Sequence, residues 1–180
     1  MRIVGGTLGG RVLKAPAGQS TRPTSEKVRE AIFNILPDVT GARVLDIFAG
    51  SGALGIEALS RGAVHATFVD FDKSALKVLR QNLADLALEA RATVIEKEAV
   101  AAARRAPAEP YGFVFVDPPY ASDLASRAVL ALPAGSLAAG AQIVIEHDRR
   151  HAPPDALGSL LRTDQRRYGD TMISFFEVPP

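Results

Sequence analysis

Arg43-Val44-Leu45-Asp46-Ile47-Phe48-Ala49-Gly50-Ser51-Gly52-Ala53-Leu54-Gly55 is the stretch whose reading decides the fold. Arg43 to Ile47 reads as a strand, and Leu54 to Arg61 reads as a helix ended by Gly62. Between them stands a literal G-x-G-x-x-G: Gly50, Gly52 and Gly55. A strand that runs through a glycine turn into a helix lets a nucleotide cofactor approach the backbone, and the helix N-terminus favours negative charge. On spacing alone this is the dinucleotide fingerprint. Asp46, four positions before the first glycine, argues against a pyrophosphate, because a carboxylate sits badly beside two phosphates. It sits well beside a sulfonium with an α-amino group, as in S-adenosyl-L-methionine. An NAD oxidoreductase is therefore the weaker alternative.

Outward from that stretch, the alternation continues. Strands are predicted at His65 to Val69, Ala92 to Ile95, Phe113 to Val116 and Gln142 to Ile145. Helices are predicted at Lys73 to Leu86, Lys97 to Arg105 and Ser122 to Leu132. Leu161 to Tyr168 and Met172 to Val178 read as a closing hairpin turned at Gly169-Asp170. This pattern predicts an α/β fold: a mostly parallel sheet of seven strands, helices on both faces, and an antiparallel strand supplied by the hairpin. Before it, residues 1–20 read as a small glycine-turned hairpin, an appendage without a core of its own. Residues 24–36 read as a leading helix capped by Thr24 or Ser25, with Val28, Ile32, Phe33, Ile35 and Leu36 as its apolar face and Pro37 as its stop. Residues 41–180 form the core of a single domain.

Composition bounds the chemistry. The chain has 180 residues, 47% hydrophobic and 23% charged, which is globular composition. It has no cysteine, which excludes disulfides, thiolate metal sites and thiol nucleophiles. The histidines show no ligand spacing, so no metal is expected. No apolar run approaches the ~20 residues of a membrane helix, and the start lacks a secretory signal, so a cytoplasmic protein is expected. The net charge is only +1, but it is unevenly spread. Arg2, Arg11, Lys14, Arg22, Lys27 and Arg29 crowd the N-terminal segment, and Arg149, Arg150, Arg162, Arg166 and Arg167 lie near the C-terminus. Local basic surface on a nearly neutral chain suits nucleic acid.

In doubly wound sheets, ligands sit outside the carboxyl ends of the strands. Asp46, Asp70, Glu98 and Asp117 all fall at such ends. Asp70, about 20 residues past the glycine loop, is placed to take ribose hydroxyls. Glu98 is placed to meet the adenine edge. Asp117-Pro118-Pro119-Tyr120 follows the fourth strand and brings a carboxylate, fixed carbonyls and a ring together. Such a cluster suits a planar base carrying an exocyclic amine. The carboxylate and the Pro118 carbonyl would accept the amine hydrogens and turn the nitrogen lone pair toward a methyl donor, while Tyr120 stacks on the base. With no cysteine for covalent attack on a pyrimidine, an amine is the target that remains. Guanine N2 and adenine N6 both satisfy this geometry. A catalytically idle RNA-binding module on the same fold is the alternative from another class.

The chain resembles the RsmD family, 16S rRNA guanine-N2 methyltransferases acting on guanine 966. The resemblance rests on Arg2-Ile-Val-Gly-Gly, Thr21-Arg22-Pro23-Thr24 with Val28-Arg29-Glu30, the Asp46 to Gly55 loop, Phe68-Val-Asp70, Asp117-Pro-Pro-Tyr120 and Arg167-Tyr-Gly-Asp-Thr171. It implies a class I S-adenosylmethionine-dependent methyltransferase fold, S-adenosyl-L-methionine as donor, and 16S rRNA in a small ribosomal subunit or its assembly intermediate as substrate. The implied cofactor residues are Asp46, Phe48, Gly50, Gly52, Asp70 and Glu98. Such enzymes commonly carry Asp where this chain has Glu98. Catalysis is expected of Asp117, Pro118, Pro119 and Tyr120, and RNA contact of Arg11, Lys14, Arg22 and Thr24.

Overall fold

The computed structural model describes residues 1–16, 25–118 and 122–179. Its sheet is built from β1 (Arg43–Ile47), β2 (His65–Asp70), β3 (Ala92–Glu96), β4 (Tyr111–Val116), β5 (Leu137–His147), β6 (Ala156–Leu157), β7 (Leu160–Tyr168) and β8 (Thr171–Glu177), in the order β3-β2-β1-β4-β5-β8-β7-β6. The first five strands pair in parallel, and β8 enters antiparallel between β5 and β7. Seven strands were expected. The eighth, β6, is a two-residue strand pairing with the start of β7, too short to leave a periodic signal. β5 is the other difference. It runs from Leu137, and its Ala138-Ala139-Gly140 stretch hides the strand because small residues carry little β-pattern.

Among the described residues, five α-helices cover the faces: α1 (Glu26–Ile35), α2 (Ala53–Ser60), α3 (Lys73–Asp85), α4 (Ala99–Ala103) and α5 (Leu124–Leu130). Central strands are buried on both sides, so they read as continuous apolar runs. Val44, Phe68, Phe113 and Phe115 face α1, α2 and α3, while Leu45, Ile47, Val69, Val114 and Val116 face α4 and α5. Ser25 caps α1 by accepting the Val28 N–H at 3.2 Å; Thr24, the alternative cap, lies outside the described residues. Leu36 is extended before Pro37, as the pre-proline restriction demands. The apolar face of α1 differs from expectation at one position. Ile35 is 38% exposed, and Arg29 is fully buried in its stead. Arg29 thus leaves the surface basic set.

The reason lies in the N-terminal hairpin, where Arg2 and Val12 bridge antiparallel. Ile3 and Leu13 are buried in the same apolar cluster as α1, α2 and α3. The hairpin backbone is then fastened to α2 through the fully buried carboxylate of Glu57. Glu57 accepts the N–H of Val4 and of Gly5, each at 2.8 Å, and the Arg61 Nε at 2.8 Å. The Arg29 Nε stands 3.9 Å from it, and Arg29 also donates to the Arg2 carbonyl. Ser60 adds a clasp by accepting the Leu8 N–H at 3.0 Å and donating to the Gly5 carbonyl at 2.5 Å. At Gly6, with φ +76, a Cβ would stand 1.9 Å from the Ser60 carbonyl oxygen, so only glycine fits.

Removing one member of a buried, hydrogen-bonded ion pair leaves the remaining groups unsatisfied in low dielectric. Glu57→Ala should therefore destabilise the fold by about 3–5 kcal/mol, far beyond a surface carboxylate. Urea unfolding measures it; a loss below about 1 kcal/mol, the level of an exposed pair, would contradict this account.

Candidate active site

The strand order reverses between β1 and β4: β1 leads through α2 to β2 on one side, and β4 leads through α5 to β5 on the other. A crevice opens at such a point. Ile47 is in register with Val69 of β2 and with Val116 of β4. The next residues, Phe48, Asp70 and Asp117, therefore emerge at one level of the sheet edge. The Asp117 N–H donates to the Ile47 carbonyl at 3.3 Å, which stitches the β4 exit directly to the start of the glycine loop. Asp117 and Pro118 are both partly buried there. Pro119 and Tyr120 lie outside the described residues, as do Arg22 and Thr24.

The loop itself is bent by three left-handed residues, Phe48 (φ 64), Gly50 (φ 55) and Gly52 (φ 84). Phe48 is a bulky residue in a region that favours glycine, a strain held by its surroundings. The Ala49 N–H donates to the Val69 carbonyl at 3.0 Å, and the Gly52 N–H to the Ala49 carbonyl at 2.7 Å. Asp70 organises the crest: its Oδ2 accepts the Gly50 N–H at 2.8 Å and its Oδ1 the Asp72 N–H at 2.9 Å. The Lys97 N–H donates to the Asp70 carbonyl at 3.0 Å, which brings the β3 exit alongside. Glu98, exposed at the start of α4, stands next to it in the chain.

The glycines divide by role. A Cβ on Gly50 would meet nothing within 4 Å, so that part of the loop faces open space. A Cβ on Gly52 would lie 2.3 Å from the Leu79 Cδ1, and one on Gly55 would lie 2.4 Å from the Phe68 ring. Gly52 and Gly55 are thus required by packing of α2 against α3 and the sheet, and Gly50 is the one that faces open space.

Asp46 also differs from a simple ligand contact. It is 1% exposed and lies beneath the loop. Its Oδ2 accepts the Gly55 N–H at 2.9 Å. Gly52 supplies no side-chain cap to α2, so Asp46 satisfies that orphan donor from the neighbouring strand. Burial pushes the Asp46 carboxyl up to about 8; the Gly55 N–H opposes this and the nearby Asp70 adds to it.

Two residues at this edge went unremarked in the sequence. Phe71 follows Asp70 with its ring 58% exposed, an aromatic outside any core pattern at the mouth of the crevice. That break in pattern was its signal. Asn82, on α3, is buried and donates to the Ser51 carbonyl at 3.0 Å. It looks like any polar residue on a helix, and only tertiary contact reveals it. Of the basic residues, Lys14 pairs with Asp85 at 2.7 Å, and Arg11 donates to the Asp85 carbonyl at 3.3 Å. A separate cavity of about 210 Å³ lies beneath α4, walled by Leu45, Ile47, Val69 and Ile95 among others. Asp70, Asp117 and the glycines are not on its wall, so it is distinct from the crevice.

The arrangement sets the Asp70 carboxylate at the crest of the loop, each of its oxygens accepting one backbone N–H, across the switch point from Asp117 and Pro118. Asp46 makes a prediction about pH. A carboxyl whose folded value is raised from 3.8 to about 8 lets the folded state hold a proton that the unfolded chain has released. Its contribution to stability is complete below the unfolded value and is lost as pH rises through the folded one. Between pH 5 and 8 the parent should lose stability relative to Asp46→Asn, with a slope of up to about 1.4 kcal/mol per pH unit. Urea unfolding of both across pH 5–9 checks this; parallel pH profiles would contradict it.

Residues 1–177 match the model of a family described as conserved hypothetical protein 95. The "Putative rRNA methyltransferase YlbH" of Bacillus subtilis is 43% identical, over 98% of both chains. The "Ribosomal RNA small subunit methyltransferase D" of Escherichia coli K12 is 40% identical, over 86% of this chain and 78% of its own length. Among solved structures, "Putative methyltransferase yhhF from Escherichia coli" superposes with a TM-score of 0.87 at 35% identity, covering 99% of this chain and 98% of its own. The α/β architecture expected of a class I methyltransferase is thus the one shared with these structures. Matched along nearly its whole length, the chain belongs to this family of conserved hypothetical protein 95, the RsmD family of rRNA methyltransferases.

Proposed function

We propose that this chain transfers a methyl group from S-adenosyl-L-methionine to the exocyclic N2 amine of a guanine in the 16S rRNA of the small ribosomal subunit. The observation that carries the reading is the Asp117–Ile47 backbone bond, which fixes an acceptor cluster against the glycine loop. The relatives' names supply the RNA class, and the base follows from the family resemblance together with the amine-directed geometry.

The residues fit the donor. Gly50 faces open space, Asp70 retains lone pairs for two ribose hydroxyls beside its backbone bonds, and the exposed Phe71 ring offers a face to adenine. Glu98, exposed at the β3 exit, is the contact on the other adenine edge. Phe48 and Gly52 shape the loop, and Asp46 acts from below by holding the α2 N-terminus. When bound, the donor supplies a methyl group on a positively charged sulfur. The chain's own work is positioning. The Asp117 carboxylate and the Pro118 carbonyl accept the two amine hydrogens, directing the nitrogen lone pair at the methyl carbon. As the nitrogen–carbon bond forms and the methyl–sulfur bond breaks to leave a neutral thioether, the positive charge passes to the amine, where the Asp117 carboxylate stabilises it before one amine proton passes to water. Pro119 and Tyr120 complete the proposed catalytic set, Tyr120 as the ring that stacks on the base. Arg11, Lys14, Arg22 and Thr24 serve the RNA. The exposed Lys14–Asp85 pair is a weak contact of a kind readily exchanged for a phosphate.

The test is labelled methyl transfer to small subunits from cells lacking the modification. Asp117→Ala should lose on the order of a hundredfold or more in kcat while binding S-adenosylmethionine normally, because its contact strengthens only toward the transition state. Asp70→Ala should do the reverse and weaken donor binding by about 1.5–3 kcal/mol in calorimetry. A near-normal rate in Asp117→Ala would overturn the mechanism, and unchanged affinity in Asp70→Ala would overturn the cofactor assignment.

A further inference from the structure

Asn82 is 2% exposed on the apolar face of α3, among Ala75, Leu76, Leu79 and Leu83. A leucine would suit the helical pattern at this position. A buried carboxamide is costly unless its hydrogen bonds are made. Here they are made to backbone groups of two distant segments. Its Oδ1 accepts the Lys14 N–H at 2.9 Å, and its Nδ2 donates to the Lys14 carbonyl at 3.0 Å. The same Nδ2 donates to the Ser51 carbonyl at 3.0 Å. One side chain therefore grips both ends of the Lys14 residue and the middle of Gly50-Ser51-Gly52.

The neighbouring contacts make this grip directional. Leu79, three residues earlier on the same helix face, fills the space that a side chain on Gly52 would need. Asp70 holds the Gly50 N–H from the sheet side. The glycine loop is thus clamped from the sheet by Asp70 and from α3 by Leu79 and Asn82. The N-terminal hairpin is anchored at one end by Glu57 and at the other, at Lys14, by Asn82. Lys14 also carries one of the cations proposed for RNA.

We infer that Asn82 is a positioning residue that couples the N-terminal arm to the cofactor loop, so that RNA engagement by the arm and donor binding at the loop strengthen one another. This rests on the function proposed above. Coupling of this kind is reciprocal: whatever the RNA does for donor affinity, the donor does for RNA affinity. A residue that only filled the core would affect stability and neither affinity.

The test uses the full chain and steady-state methyl transfer to unmethylated small subunits, at a temperature where circular dichroism shows each protein folded. For the parent, the KM for S-adenosylmethionine should fall as subunit concentration rises. In Asn82→Ala both KM values should rise about tenfold, the worth of one to two hydrogen bonds, with kcat at saturation within about twofold. The dependence of one KM on the other substrate should vanish. Asn82→Asp keeps the acceptor for the Lys14 N–H but faces two carbonyls with a carboxylate oxygen, so its KM for the donor should rise further. Unchanged KM values, or a loss confined to kcat, would overturn the inference. Hydrogen exchange on the parent decides the matter should the variants not fold. Adding S-adenosylmethionine alone should raise protection at the Gly52 and Lys14 amides together, and protection at Gly52 without any at Lys14 would overturn the coupling. Asp70→Ala serves as the control: if it binds the donor normally, the cofactor assignment fails, whereas loss in Asp70→Ala with no effect in Asn82→Ala sinks the coupling alone.

Discussion

The register of β1 against its two neighbours is the constraint on which the site depends. Ile47 lies level with Val69 and Val116, so the glycine loop, Asp70 and Asp117 leave the sheet together. A slip of one residue would turn each strand over and send the apolar side chains of one face to the other. That slip is forbidden because both faces are buried and filled differently. Phe68, Phe113 and Phe115 pack under α1, α2 and α3, whereas Leu45, Ile47, Val69, Val114 and Val116 lie under the alanine-rich α4 and α5. Core packing thus sets the height at which the chemistry emerges.

The loop is held in place more than it is flexible. Besides its internal Gly52–Ala49 bond, it is held from elsewhere in the chain: by Asp46 from below, by Asp70 from the adjacent strand, and by the packing of Leu79 and the hydrogen bond of Asn82 from α3. The left-handed Phe48 shows that this framework tolerates local strain. The N-terminal hairpin belongs to the same framework. Its fastening through Glu57 buries a carboxylate, which yields little net stability against a well-packed apolar alternative but fixes one arrangement of hairpin, α1 and α2. Arg29 and Glu57 are better understood as setting where the arm lies than as adding to the core.

Much of this was legible in the sequence because it is local. The period of Arg43 to Ile47, the glycine turn, Asp70 at the next strand end and the Asp117 diproline each announce themselves within a few residues. What was not legible is tertiary. Arg29 reads as a surface cation because nothing nearby shows that Glu57, on another helix, will meet it. Asp46 reads as a ligand contact, and its service as the missing cap of α2 appears only once strand and helix are packed. Gly52 reads as a cofactor glycine, although Leu79 is what excludes a side chain there. Asn82 carries no signal at all, since its partners lie 68 and 31 residues away. β6 was missed because two residues make no pattern.

The central claim is that the crevice between β1 and β4 delivers a methyl group to an exocyclic guanine amine. Nucleoside analysis tests it most directly. Small subunits lacking the modification are incubated with the protein and labelled S-adenosylmethionine, and the 16S rRNA is digested to nucleosides and separated. The account predicts the label in N2-methylguanosine. Label in N6-methyladenosine, in a ring-carbon methyl or in no nucleoside at all would contradict it.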